Sequence, residues 1–316
     1  MVGYNPNLKL SDQDKVIAGT TSSIVARATT QPFDVFKIRF QLQEEPISIT
    51  SSSSKYQSLY QAFRCIIKDE GFTALWKGHV PAQMLSVGYG IVQFTVFEMV
   101  TKHTWQTLPE KYKTDYKPIV HSICGGLSAC LATISVQPVD VIRTRFVAQG
   151  EPKIYSSFYH ASKSIIQTEG IHGFYKGLTP AILGVAPQMG LQFGFYALFQ
   201  NIWNDAFRLP KGHHPGKIES LICGSGSGFV SKLITYPLDL TKKRLQIQGF
   251  EEARRSFGRV SKYTGLIHCV KCLVKEEGYR GLYKGLCPSL LKAVFVSGTI
   301  FFVYDQACYV LSLRRS

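Results

Sequence analysis

The chain has 316 residues, 45% of them apolar, with 36 Lys and Arg against 21 Asp and Glu for a net charge of +15, and its mean hydropathy is close to zero at +0.02. A helical soluble protein of two domains could share these values, so composition alone leaves the class open. The basic excess admits nucleic-acid binding, but no aromatic-interleaved basic stretch accompanies it, and no nucleic-acid partner is expected. Enzyme classes are excluded on motifs: the chain has no nucleophile elbow, Walker loop, dinucleotide fingerprint or HExxH cluster, so neither catalysis nor a cofactor is expected.

In chain order, the first fifteen residues contain Asp12 and Asp14 and no Arg, so no amphipathic presequence is expected. An apolar stretch over 16–36 runs into a block of Pro32, Asp34, Lys37 and Arg39, followed by Gln43. The Ser/Thr run at 48–54 reads as a flexible loop, and residues 59–68 have apolar positions at helical spacing, which predicts a short surface helix. Glu70 and Gly71, then Trp76, Lys77 and Gly78, lead into a second apolar stretch at 80–100.

The same order recurs twice. A stretch at 118–142 contains Pro138, Asp140, Arg143 and Arg145, with Gln149 beyond; a helical pattern at 158–168 follows, then Glu169, Gly170, Tyr175, Lys176 and Gly177, then a stretch at 178–203. The third copy has 218–241 with Pro237, Asp239, Lys242 and Arg244, then Gln248, a helical pattern at 266–275, Glu277, Gly278, Tyr283, Lys284 and Gly285, and a last stretch at 287–312. Three ordered pairs of blocks about a hundred residues apart define a triplicated unit, with repeats at 1–115, 116–214 and 215–316 in one integral membrane domain.

Each apolar stretch has the ~20 residues that a helix needs to cross ~30 Å of hydrocarbon. The prediction is an all-α membrane protein with six spans, the Pro block closing the first span of each repeat. An even number of spans puts both termini on one side. The three segments between the blocks hold 22 of the 36 basic residues, which places them on the non-translocated side, and only Arg27, Lys232 and Lys292 stand within spans. Gly224, Gly226 and Gly228 align with Gly19 to Ser23 and with Gly125 to Ala129, so they read as close helix packing and not as a phosphate loop. Cys269 and Cys272 have no second pair nearby and read as two unlinked thiols, and no metal site is expected.

With its paired blocks, nearly the whole chain resembles the mitochondrial carrier family, whose signature is this triplicated motif. The resemblance implies six tilted transmembrane helices with threefold pseudosymmetry, three short matrix helices, a monomer with one central substrate site, and residence in the mitochondrial inner membrane with both termini in the intermembrane space. It implies a matrix gate in which Pro32, Pro138 and Pro237 kink the odd-numbered helices and Asp34 pairs with Arg143, Asp140 with Lys242, and Asp239 with Lys37. Gln41 and Gln246 occupy the family's bracing position, which Val147 leaves empty in the second repeat. The opposite, cytoplasmic gate is degenerate, keeping Glu98 and Asp305 without a base at the paired position. The family also binds cardiolipin at the aromatic-Lys-Gly blocks, here Trp76, Lys77, Gly78, Tyr175, Lys176, Gly177, Tyr283, Lys284 and Gly285. Helix N-termini near Ser58, Ser157 and Gly265 share the headgroup.

A substrate without threefold symmetry should be read where the repeats differ. Five residues before the Pro stand Arg27, Thr133 and Lys232; at the family's contact points in the even helices stand Leu85, Gly184 with Val185, and Lys292, and one turn deeper Tyr89, Gln188 and Val296. Arg27, Lys232 and Lys292 are expected to lack a fixed acidic partner, which makes them candidates for phosphate. Leu85, Tyr89, Gly184 and Val185 offer an apolar and aromatic side, and Gln188 adds a polar group beside it. The ligand predicted from these residues is an aromatic heterocycle bearing two or more phosphates. Stretches at 77–90, 148–155, 236–246 and 249–254 resemble family members that import thiamine diphosphate in exchange for nucleotides. The cations alone suit a nucleotide or coenzyme A equally, and a proton-leak or structural membrane protein is the alternative from another class.

Overall fold

Every apolar stretch of the sequence folds as one uninterrupted helix in the computed structural model, which describes residues 11–47, 54–107, 117–207, 216–251, 253 and 261–313. Apart from Ser54, the Ser/Thr run lies outside the described residues, as does the chain before residue 11. The long helices are α1 (Asp12–Leu42), α3 (His79–Thr107), α4 (Lys117–Ala148), α6 (Leu178–Ala206), α7 (Lys217–Gln246) and α9 (Leu286–Leu313). The short ones are α2 (Leu59–Glu70), α5 (Phe158–Glu169) and α8 (Leu266–Gly281), and no strand occurs among the described residues. With 28 to 32 residues each, the long helices extend about 42–48 Å at the α-helical rise.

Four of the six, α3, α4, α6 and α9, contain a window apolar enough to cross a membrane. α1 and α7 are as long as the other four but contain no window that apolar. Their inward stripes are polar: Thr20, Ser23, Arg27 and Thr30 of α1 line a cavity, and Ser227, Ser231 and Thr235 of α7 are buried.

The Pro block does not close the first span of each repeat. Pro32, Pro138 and Pro237 lie inside α1, α4 and α7, which run on to Leu42, Ala148 and Gln246. Proline removes one N–H and frees the carbonyl four residues earlier. At Pro32 that carbonyl belongs to Ala28, and the Trp76 indole N–H donates to it at 2.9 Å. The residue before each Pro ties the same place to the following block. Gln31 Nε2 donates to the Lys77 carbonyl at 3.0 Å, Gln137 Nε2 to that of Lys176 at 2.9 Å, and the Tyr236 hydroxyl to that of Lys284 at 2.9 Å. At Pro32 a tertiary hydrogen bond thus takes up the freed carbonyl, at all three sites a bond to the following block pins the chain beside the Pro, and the helix continues past it.

The most extensive helix pairings join α3 to α4, α6 to α7 and α9 to α1. Each crosses a repeat boundary, so the long helices close into a ring. The apolar core is gathered at one end of that ring, in three clusters beneath the short helices: around Ile66 and Leu75, around Ile165 and Tyr155, and around Leu273 and Leu240. Gly71 and Gly170, both with positive φ, end α2 and α5.

The glycines of the Lys-Gly blocks fix the register between neighbouring repeats. Gly78, Gly177 and Gly285 have φ of +75°, +76° and +82°, and a Cβ on each would lie 3.2 Å from the Arg143 carbonyl oxygen, 2.7 Å from that of Lys242 and 2.8 Å from that of Lys37. Left-handed backbone costs a residue with a Cβ about 1–2 kcal/mol before any clash, and at Gly177 and Gly285 the nearest atom is backbone in the next repeat. Gly177→Ala is therefore expected to lower the thermal unfolding midpoint in lipid nanodiscs. Gly90→Ala, in open space within α3, should leave it unchanged or slightly raised.

Candidate functional site

Two residues beyond each Pro, the helix turns an Asp toward the ring interior, and each of these acids meets cations from other helices. Asp34 Oδ2 accepts from Arg143 Nη2 at 2.6 Å, Asp140 Oδ2 lies 2.7 Å from Lys242 Nζ, and Asp239 Oδ2 lies 3.8 Å from Lys37 Nζ. The three pairs anticipated from the motif are thus brought together, at one level. Gln246 Nε2 donates to Asp140 Oδ2 at 2.8 Å. Gln41 makes no corresponding contact with Asp239; its Nε2 donates to the Tyr236 hydroxyl at 3.1 Å, and the Tyr236 ring in turn lies 5.9 Å from Lys37 Nζ.

The expectation that Arg27, Lys232 and Lys292 lack acidic partners is corrected for two of them. Lys292 Nζ donates to Asp34 Oδ1 and Oδ2 at 2.7 and 2.8 Å, and Lys232 Nζ is hydrogen-bonded to Asp239 Oδ2. Half-buried ammonium groups at this depth are costly unless paired, and the flexible lysine stems reach the acids of the ring. Arg27 stands apart, with Nη1 donating to the Ala82 carbonyl at 3.2 Å. Lys243, which the motif reading passed over, is a third such cation: its Nζ lies 2.9 Å from Asp140 Oδ1, Thr144 Oγ1 and Gln246 Oε1. Its signal was present in the sequence, since the corresponding positions in the other repeats, Ile38 and Thr144, are uncharged.

Two cavities open on this ring. One of about 300 Å³ is lined by Leu85, Tyr89, Gly184, Val185 and Gln188 together with Lys37, Arg143 and Lys242. A second of about 720 Å³ is lined by Arg27 and Lys292 with Thr20, Ser23, Gln83 and Val296. Ligand sites commonly have about 300–1,000 Å³ with few convergent polar groups; the smaller cavity takes the apolar and aromatic candidates with Gln188, the larger takes Arg27 and Lys292, and Lys232 is in the lining of neither. At the opposite end of the long helices, Glu98 and Asp305 are exposed. Neither forms an ion pair among the described residues.

Beneath the ring, sequence reasoning missed a second set of charges. The last basic residue of each Pro block is buried and forks onto the Glu that precedes the positive-φ glycine of the short helix. Arg39 Nη1 and Nη2 donate to Glu70 at 2.5 and 2.7 Å, and Arg145 to Glu169 at 2.5 and 2.8 Å. Arg244 pairs with Glu277, with Nη2 at 3.0 Å from Oε2. The Lys of each Lys-Gly block binds the same carboxylate: Lys77 with Glu70, Lys176 with Glu169, Lys284 with Glu277. Each Arg also donates through Nε to the next repeat, to the carbonyls of Val147, Gln246 and Gln41 in turn. Gln43, Gln149 and Gln248 accept from the backbone N–H of Tyr56, Tyr155 and Tyr263, whose hydroxyls meet the same guanidinium groups.

The surface near these triads offers the helix N-termini singled out in the sequence. Ser58 and Ser157 cap α2 and α5 by accepting from Gln61 and His160 N–H, while Gly265 precedes α8 without a side-chain cap. Tyr175 and Tyr283 are exposed. Trp76 is half-buried, its indole N–H committed to Ala28.

Burial by itself would raise the Glu70 and Glu169 carboxyls, but hydrogen bonds and charge from Arg39 and Lys77, and from Arg145 and Lys176, outweigh it and hold both below the ordinary carboxylate range. A carboxyl whose folded pKa is depressed stabilises the fold in full above its unfolded pKa, about 4.3 for Glu, and loses that contribution as pH falls through the folded value. Unfolding in nanodiscs should therefore become easier as pH falls below about 4. Glu169→Gln should flatten that acid dependence and, by leaving Arg145 buried without its partner, cost about 3–5 kcal/mol at neutral pH.

Residues 9–107, 114–207 and 214–313 each match the family described as mitochondrial carrier protein. The chain is 48% identical over 315 residues to the human mitochondrial thiamine pyrophosphate carrier, covering 98% of this chain and 97% of that protein. It is 35% identical over 306 residues to mitochondrial thiamine diphosphate carrier 1 of Arabidopsis thaliana, with 92% and 91% covered. To mitochondrial thiamine pyrophosphate carrier 1 of Phaeosphaeria nodorum it is 36% identical over 307 residues, with 95% and 94% covered. Three family repeats over the length of the chain, on a ring of six long helices closed by paired charges, place this protein in the mitochondrial carrier family.

Proposed function

We propose that this chain imports thiamine diphosphate across the mitochondrial inner membrane in exchange for nucleotides, by alternating access to one central site. The observation that carries this reading is the 48% identity, over 98% of the chain, to a human carrier named for thiamine pyrophosphate. The chemistry of the cavities agrees with it. Arg27 and Lys292 line one wall and suit a diphosphate, Arg by its planar fork and Lys as a point charge. Leu85, Tyr89, Gly184 and Val185 line the other, where a heterocycle can stack.

On this reading the ring of Asp34, Asp140 and Asp239 is the matrix gate, closed here, and the short helices face the matrix. Both termini face the intermembrane space, and the unpaired Glu98 and Asp305 form a weak cytoplasmic gate. The concentration of basic residues in the segments between the blocks supports that orientation. Cardiolipin would occupy the sites formed by the Lys-Gly blocks and the N-termini of the short helices, where free N–H groups favour phosphate. The protein would work as a monomer, its cavity being complete within one chain.

Proteoliposomes loaded with nucleotide test the reading. Uptake of labelled thiamine diphosphate should saturate and depend on the internal nucleotide. Uptake of coenzyme A without thiamine diphosphate, or proton flux without either, would overturn it. Lys292→Ala should reduce exchange at least about a hundredfold, the scale of losing a charged phosphate contact worth ~3 kcal/mol, with the protein still folded by circular dichroism.

A further inference from the structure

Each acid of the ring holds two cations, and the second comes from different places. Asp140 holds Lys242 and Lys243, both from the third Pro block. Asp34 holds Arg143 from the second Pro block and Lys292 from α9. Asp239 holds Lys37 from the first Pro block and Lys232 from α7. The pattern has a simple origin in the sequence. Lys243 stands six residues after Pro237; the residues six after Pro138 and Pro32 are Thr144 and Ile38. By the threefold arrangement Thr144 would serve Asp34 and Ile38 would serve Asp239, and neither can. The two acids that lack a second cation from the motif are the two that take one from a lysine outside it: Lys292, which lines the larger cavity, and Lys232 of α7.

We propose that Lys292 and Lys232 are latches of the gate as well as ligand cations: in the empty carrier they hold Asp34 and Asp239, and a phosphorylated ligand frees those acids by taking the lysines. The inference rests on the transport reading and names its coupling. A lysine has one charge to share, so a phosphate oxygen that claims it withdraws it from the carboxylate. The geometry makes the effect unequal. Asp239 would keep only Lys37, at 3.8 Å, Asp34 would keep Arg143, and Asp140 would keep both of its lysines and the Gln246 amide. The gate would thus loosen first between α7 and α1. A ligand shifts a two-state element only by its differential interaction with the two states, and competition for shared lysines supplies one. Arg27 provides the contrast: it lines the same cavity as Lys292, but its guanidinium is bonded to the Ala82 carbonyl and to none of the ring acids.

Hydrogen exchange by mass spectrometry on the full-length carrier in nanodiscs tests this without labels. In the absence of ligand, Lys292→Met should speed exchange in residues 34–42 and Lys232→Met in residues 239–246, each at least about fivefold, the lower end of typical coupling between sites. Arg27→Met should leave both segments unchanged while reducing transport. Thiamine diphosphate should speed exchange in both segments of the unaltered protein and have no such effect in the double lysine variant. If exchange rises in every helix of a Met variant, Lys292→Gln and Lys232→Gln take its place with the same local expectation. Unchanged exchange in the empty lysine variants, or equal acceleration by Arg27→Met, would refute the latch even if the unaltered carrier exchanges thiamine diphosphate. Absence of that exchange in proteoliposomes would instead remove the substrate reading, and the empty-carrier comparison would still decide whether the lysines hold the gate.

Discussion

Three buried guanidinium groups hold the repeats in register, and the rest of the architecture follows from where they reach. Arg39, Arg145 and Arg244 join the ends of α1, α4 and α7 to the Glu of the neighbouring short helix and to a carbonyl of the next repeat. A bidentate pair is directional in a way that apolar packing is not. Buried charge pairs add little net stability over an apolar equivalent, yet removing one partner is severe. They therefore serve as a register device, and this ring needs one. Its three most extensive long-helix interfaces lie between repeats, and its interior is cavity, so an apolar core cannot form along the axis. The core is pushed to the short-helix end, into three clusters that the Arg–Glu–Lys triads enclose.

That placement separates two kinds of charge. The triads are closed: each carboxylate is shared by an Arg and a Lys from its own repeat, and the carbonyls of the neighbouring repeat take the remaining donors. The acids of the ring, one to two turns higher, border a cavity and draw on cations from four different helices. A layer of closed triads beneath a layer of acids that borders the cavity suits the gate proposed above. The Lys-Gly glycines set the distance between the layers, because their close approach to the carbonyls of Arg143, Lys242 and Lys37 fixes α3, α6 and α9 against the residues that bear the ring cations.

Much of this could be read from the residues, and the failures have physical causes. Repetition revealed the six long helices and three short ones, because each copy repeats the same change from apolar run to amphipathic segment. The ends of α1, α4 and α7 were misread because proline's local penalty was outweighed by tertiary bonds from Trp76, Gln31, Gln137 and Tyr236, which no local pattern contains. The Arg–Glu pairs were visible as two recurring residues and went unjoined, since 24 to 33 positions separate them along the chain. Lys243 was hidden by a motif that treats its position as free. The pairing of Lys292 with Asp34 spans 258 positions and depends on α9 closing against α1, a fact of topology and not of spacing.

The charge of the cavity gives the strongest physical constraint on what enters it. Around the ring stand Arg27, Lys37, Arg143, Lys232, Lys242, Lys243 and Lys292, against Asp34, Asp140 and Asp239. Four positive charges remain after pairing, enclosed by helices whose outer faces are apolar. A low dielectric makes uncompensated charge expensive, so an anion is part of the balance of the bundle and not an incidental guest. A monoanion would leave most of the excess in place. A diphosphate or a nucleotide matches it more closely, and on the transport reading proposed above the wall of Leu85, Val185 and Tyr89 would favour an anion with a ring to bury. Charge thus sets the class of cargo through positions common to much of the ring, while identity is left to the few side chains at which the three repeats part company.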